Sequence, residues 1–164
     1  MIDNRHPRPY VKARSRVLNA ITRPLLLAGL LALVFGVSGA WAGGAGDANA
    51  ANPGQTLELK SLPVKGKTTL LDFYSPFCPP CLAMAPVLDK LADKRADLAI
   101  RRVNINRPEV RGIDWRSPLA EQLRIRAVPY FMIFDPRGQL VAEGKAAIPQ
   151  LKNWLREAGL LQEP

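Results

Sequence analysis

Thr68-Thr69-Leu70-Leu71-Asp72-Phe73-Tyr74 is a β-prone run with a single charge, and a few residues later it gives way to Cys78-Pro79-Pro80-Cys81 and a helical pattern. A strand this apolar is expected to be buried on both faces. Pro79 and Pro80 stand in the first turn of the following helix, where prolines are tolerated. Leu82, Ala85, Leu88, Leu91 and Ala92 then recur on one side of that helix to about Arg95. Pro86 interrupts it and should kink it. A buried strand that feeds a helix restricts the chain to folds in which helices cover a sheet.

The remaining segments fill in that plan. Leu57, Leu59 and Leu62 alternate imperfectly with polar residues, suggesting a short edge strand before a Lys65-Gly66-Lys67 turn. Leu98 to Ile105 reads as a strand, followed by a loop with Pro108 and Gly112. Ser117-Pro118 is an N-cap and first helical position for a short helix to about Leu123. Tyr130 to Phe134 is an apolar strand. Asp135-Pro136-Arg137-Gly138 suits a type I turn, and Gln139 to Glu143 returns as its hairpin partner. Ile148, Leu151, Trp154 and Leu155 mark one face of a last helix. The order β, β, α, β, α, β, β, α predicts an α/β domain: a mixed central sheet with helices on both faces.

The chain has 164 residues and a formal net charge of +9. Six basic residues and one acid lie in residues 1–42; the remainder carries 17 basic and 13 acidic residues, a net of +4. A charge of that size serves solubility, and no aromatic-interleaved basic tract points to nucleic acid. The leader is a basic n-region, an uncharged apolar run from Leu25 and an Ala40-Trp41-Ala42 site. That is the form of a cleaved signal peptide, with an uncleaved N-terminal membrane anchor as the competing reading. Both place the C-terminal part outside the cytoplasm, in the periplasm or its equivalent, tethered to the inner membrane if the anchor stays. Residues 43–55 contain no large apolar side chain and read as a flexible linker, leaving 56–164 as the folded domain.

Cys78 and Cys81 are the only cysteines, and the only histidine, His6, is in the leader. A zinc site would need about four ligands, which the domain does not have, and no cofactor is expected. A structural bridge over so short a loop would add little stability, although it remains an alternative. Disulfide exchange needs an attacking thiolate and a second thiol near enough to release the mixed disulfide. A helix start supplies both: the first cysteine faces solvent under the helix dipole, and the second lies one turn inward.

The segment from Asp72 to Pro86 resembles the thioredoxin active site. The aspartate lies six residues before the first cysteine, and Pro86 lies five after the second. Arg126-Ala127-Val128-Pro129-Tyr130 resembles the family loop whose proline is cis and faces the cysteines, and Gly138 and Gly144 fit the glycines after it. The likeness covers about residues 57–158 and implies a thioredoxin fold. It also implies thiol–disulfide exchange on protein thiols and disulfides, with a membrane electron donor or acceptor as a further partner. The implied roles are Cys78 as nucleophile, Cys81 as resolving thiol, Asp72 as a buried proton relay and Pro129 as the shaper of the substrate loop. Phe77, Val128, Pro129 and Arg126 are expected to meet substrate.

Several positions depart from the family pattern. Tyr74 and Phe77 stand where thioredoxins usually carry Trp, Pro79 replaces the usual Gly, and Arg102 stands where a Lys commonly neighbours the aspartate. An arginine does not give up its proton, so it does not stand in for a relaying lysine. Strong oxidants of this fold stabilise the attacking thiolate, often through a histidine between the cysteines. Pro-Pro offers neither a side-chain donor nor an N–H, so a reductase is expected. The alternatives are an oxidase of the same fold and a tethered binding or scaffold protein with a static disulfide. Residues 101–126 hold seven arginines against three acids, a net of +4, and the long segment from Arg107 to Arg116 carries Trp115 as a candidate recognition anchor.

Overall fold

The computed structural model describes residues 45–161, so the leader and its Ala-x-Ala site lie outside the described residues. The strands are β1 (Gly46–Asp47), β2 (Thr68–Tyr74), β3 (Leu98–Asn104), β4 (Tyr130–Phe134) and β5 (Leu140–Glu143). The helices are α1 (Pro79–Lys94), α2 (Pro118–Gln122) and α3 (Ile148–Glu157). The sheet order is β1-β3-β2-β4-β5. β1, β3 and β2 run parallel, whereas β4 is antiparallel to β2 and β5 to β4.

β2 is central, and its composition explains why. Leu70 is buried against Leu88 and Leu91 of α1 and Leu151, Trp154 and Leu155 of α3. Leu71 and Phe73 point to the opposite face, against Leu119, Ile125, Met132 and Phe134. Each such fully buried side chain contributes about 1.5–3 kcal/mol, so residues on both faces hold the strand in place. Asp72 and Tyr74 share the period-2 phase of Leu70 and therefore the α1 side. α1 begins with Pro79 and Pro80 and continues through Pro86. Gly138 closes the β4–β5 turn with φ +80° and its N–H on the Asp135 carbonyl at 2.8 Å.

Two expectations are corrected. Residues 57–62 form no strand; Leu59–Ser61 is a 3₁₀ turn. The Ser61 N–H and hydroxyl both donate to the Glu58 carbonyl, at 3.1 and 2.7 Å, closing a local turn in place of an extended ladder. The Gln122 side-chain amide accepts from the Leu57 N–H at 3.1 Å and donates to its carbonyl at 2.9 Å, meeting the needs a strand partner would otherwise meet.

The second correction concerns the linker, which is not free from Ala45 onward. β1 pairs with Arg101 and Arg102 of β3, and the Ala48 N–H donates to the Arg102 carbonyl at 2.7 Å. Asn49 donates to the Asn104 carbonyl at 2.8 Å and accepts from the Asn104 N–H at 2.9 Å. The Gly54 N–H reaches the Asn104 carbonyl and its own carbonyl accepts from the Leu119 N–H, both at 3.0 Å. These contacts use backbone and short amide groups, which leave no hydrophobic periodicity to read.

Candidate active site

β2 ends and α1 begins at one corner of the sheet. Between them, Ser75 is fully buried, and its hydroxyl accepts from the Phe77 N–H at 3.1 Å. Its carbonyl accepts from the Cys78 N–H, also at 3.1 Å. This tight turn makes Cys78 the N-cap of α1. Pro79 and Pro80 have no N–H, so the first helical donor is that of Cys81, which reaches Cys78 Sγ at 3.2 Å. Cys78 and Cys81 form a disulfide with a Cα–Cα distance of 5.2 Å.

The disulfide is walled in. Tyr74 is buried against the two cysteines, and Ile113 and Val128 pack on the same cluster. The Val128 carbonyl oxygen lies 3.7 Å from Cys78 Sγ, and the Val128–Pro129 peptide is cis. Cys78 is only 2% exposed and Cys81 0%, which corrects the expectation of a solvent-facing Cys78. The physical reason is the pair of flanking loops, which lay Ile113 and Val128 against it. Beside them Phe77 is 40% exposed, and Arg126 is exposed two residues before Val128. Trp115, the candidate anchor, packs against the core on the α2 side of the sheet.

Asp72 is completely buried, and neither carboxylate oxygen has a hydrogen-bond partner among the described residues. Its nearest cation is Arg102, its register neighbour on β3, with Nε 3.5 Å from Oδ2. Burial pushes the Asp72 carboxyl up from 3.8 to about 6, and Arg102 opposes that rise. The Arg102 guanidinium also lies over the Tyr74 ring, 4.0 Å from its centroid. The Tyr74 hydroxyl donates to Asp47 Oδ2 at 2.8 Å. Burial and that bond hold the phenol well above its ordinary proton affinity. Asp47 and Ile113 are site residues that sequence reasoning missed. Asp47 sits in a segment without apolar pattern, and Ile113 in a loop whose path no local motif announces.

The Asp72 environment carries a stability prediction. Each tenfold change in proton affinity is worth about 1.4 kcal/mol, so a rise from 3.8 to about 6 costs roughly 3 kcal/mol once the group is ionised. The folded state binds this proton more tightly than the unfolded one. The associated stability is therefore present below about pH 4 and lost as pH rises through about 6. Asp72→Asn should remove that slope and raise stability at pH 7 by about 1–3 kcal/mol, the lower end reflecting the partner lost by Arg102. Urea midpoints from pH 4 to 8 measure it; an unchanged slope would place the titration elsewhere.

The thioredoxin family model matches residues 58–157. A thioredoxin-like protein of Fusarium culmorum is 34% identical over 94 residues, covering 56% of this chain and 71% of that protein. Thioredoxin of Haemophilus influenzae is 34% identical over 90 residues, covering 54% of this chain and 77% of its own. Among solved structures, the short form of spinach chloroplast thioredoxin f is 30% identical, with a TM-score of 0.42 over 58% of this chain and 79% of that one. The family match takes in more than half of the chain, including the cysteine pair at its strand–helix corner, so this protein belongs to the thioredoxin family and is a thiol:disulfide oxidoreductase.

Proposed function

We propose that the protein works outside the cytoplasm as a dithiol reductase of disulfides in other proteins. The observation that carries the reductive direction is the sparse solvation of Cys78 Sγ: among the described residues its one N–H donor is that of Cys81, at 3.2 Å. Pro79 and Pro80 remove the two nearest helical donors. A thiolate with few donors is held weakly, so the reduced form gives up its electrons readily. The basic leader, the apolar run from Leu25 and Ala40-Trp41-Ala42 support export, with a membrane thiol donor as the source of electrons.

In the reaction, the Cys78 thiolate attacks one sulfur of the substrate disulfide. A mixed disulfide forms with the attacked sulfur, and the other substrate sulfur leaves as a thiolate and takes a proton from water. Cys81 then passes its proton to Asp72 and attacks Cys78 Sγ. The substrate sulfur bound to Cys78 then leaves and receives that proton. Two electrons have passed to the substrate, and the protein holds the Cys78–Cys81 bond. A carboxyl near 6 can accept and return a proton close to neutral pH, which supports this role for Asp72. The Pro129 loop, whose Val128 carbonyl lies beside Cys78, is the surface a substrate backbone would meet.

Equilibration of the full chain with glutathione couples tests the direction. The potential should lie nearer about −270 mV than the roughly −120 mV of a strong oxidant. A value above roughly −150 mV would make the protein an oxidase with the same fold.

A further inference from the structure

Two loops flank the disulfide, and each carries an exposed arginine two residues before the side chain that packs on it. The first runs from Ile105 to Ser117 and is stitched across its base. Asn106, 2% exposed, donates to the Gly112 carbonyl at 2.6 Å and accepts from the Asp114 N–H at 3.3 Å. Asp114, 4% exposed, takes Nε and Nη2 of Arg107 at 2.7 and 3.1 Å, together with the N–H groups of Arg107 and Arg116 at 3.4 and 3.2 Å. A loop held this way has a fixed path, and that path sets Ile113 against Cys78 and Cys81. Arg111 precedes Ile113 by two residues, no more than about 7 Å of chain, and is exposed.

The second loop leads into the cis Val128–Pro129 peptide. Its Val128 touches the same cluster, and Arg126 is exposed at the same two-residue remove. Among the described residues neither Arg111 nor Arg126 has an ion-pair partner. The buried acid of the first loop, Asp114, is already engaged by Arg107. Next to the cysteines in the chain, Pro76, Phe77 and, at 51% exposure, Leu82 are exposed apolar residues.

We propose that this rim selects protein disulfides whose target cysteine lies in an acidic segment, with Arg111 and Arg126 receiving carboxylates on either side of an apolar contact at Phe77. The proposal rests on the disulfide-exchange reading of the site and names its substrate class. Two cations flanking a narrow apolar contact raise the encounter rate with acidic chains and disfavour basic ones. Because both guanidinium groups are exposed, the preference is carried by charges that salt screens over about 8–10 Å.

The probes are two synthetic peptides carrying the same mixed disulfide with glutathione, one flanked by Asp and Glu and the other by Lys, together with neutral hydroxyethyl disulfide. The full chain, reduced beforehand, should reduce the acidic peptide about tenfold faster than the basic one at low salt, and the ratio should approach one near 0.5 M salt. In Arg111→Glu with Arg126→Glu the ratio of acidic to basic rates should invert, and in Arg111→Gln with Arg126→Gln it should fall to about one. Equal rates for the two peptides with the natural chain, or an unchanged ratio in both variants, would overturn the proposal alone. Failure of the natural chain to reduce any of the three disulfides, the neutral one included, would overturn the exchange reading and this proposal with it.

Discussion

Cys78→Ser is expected to reduce disulfide reduction to background, a loss of roughly a thousandfold or more, because the one thiol left, Cys81, is fully buried inside α1. Cys81→Ala should behave differently. It keeps the attack by Cys78 but loses the thiol that releases the mixed disulfide. Partners should therefore accumulate on Cys78 as adducts that a small thiol removes, visible on a non-reducing gel and by mass. The asymmetry follows from position. Cys78 is the cap of α1, and the first helical N–H points at its sulfur, so of the two sulfurs it is the one better placed to carry a thiolate. Cys81 is one turn inside α1 and fully buried. Adducts that form on Cys81 in Cys78→Ser, with none in Cys81→Ala, would reverse the two roles.

Gly54→Ala should be among the most destabilising single substitutions in the domain. A Cβ at residue 54 would meet the Arg107 backbone nitrogen at 2.6 Å and the Asn106 carbonyl carbon at 2.7 Å, and φ is +73°. Both contacts are backbone, so no side chain can swing away. The segment is also fixed by bonds to Asn104 and Leu119. The expected loss is about 3 kcal/mol or more, with disorder spreading into the loop that carries Ile113. Gly112→Ala is the control. It has φ +90° but open space around its Cβ, so it should cost only the conformational part, about 1 kcal/mol. Urea midpoints for the two variants decide the matter, and similar losses would show that the close approach at Gly54 is unimportant.

The parts of the fold legible in the sequence are those that announce themselves through side chains. Thr68–Tyr74 reads as a central strand because its residues are apolar on both faces, and both faces pack. Pro79, Pro80, Ser117 and Pro118 mark helix starts because capping and proline chemistry is local. What is held by backbone pairing is not legible. Gly46 and Asp47 form a strand with small or polar side chains, and the leucines at 57, 59 and 62 pack through a turn although they suggest a strand. The site divides in the same way. The cysteine pair and Asp72 lie within ten residues of one another and carry a motif. The bond from Tyr74 to Asp47 spans 27 residues and leaves no spacing to recognise. Trp115 shows the converse: an aromatic residue in a basic loop suggests recognition, and in the fold it is half-buried and packs against the core.

The hydrogen bonds of Ala45 to Asn49 along β3 bear on how the protein behaves among its own substrates. Without them β3 would be outermost, with a ladder of free N–H and C=O groups beside the redox corner. Such an edge is a template for intermolecular annealing, and the chains that reach a disulfide-exchanging protein are often incompletely folded. Residues 46 and 47, with Ala48 and Asn49, occupy that ladder at Arg101, Arg102 and Asn104, at the end of β3 that abuts the redox corner. Contact with another chain at that margin is thereby kept from open-ended sheet extension.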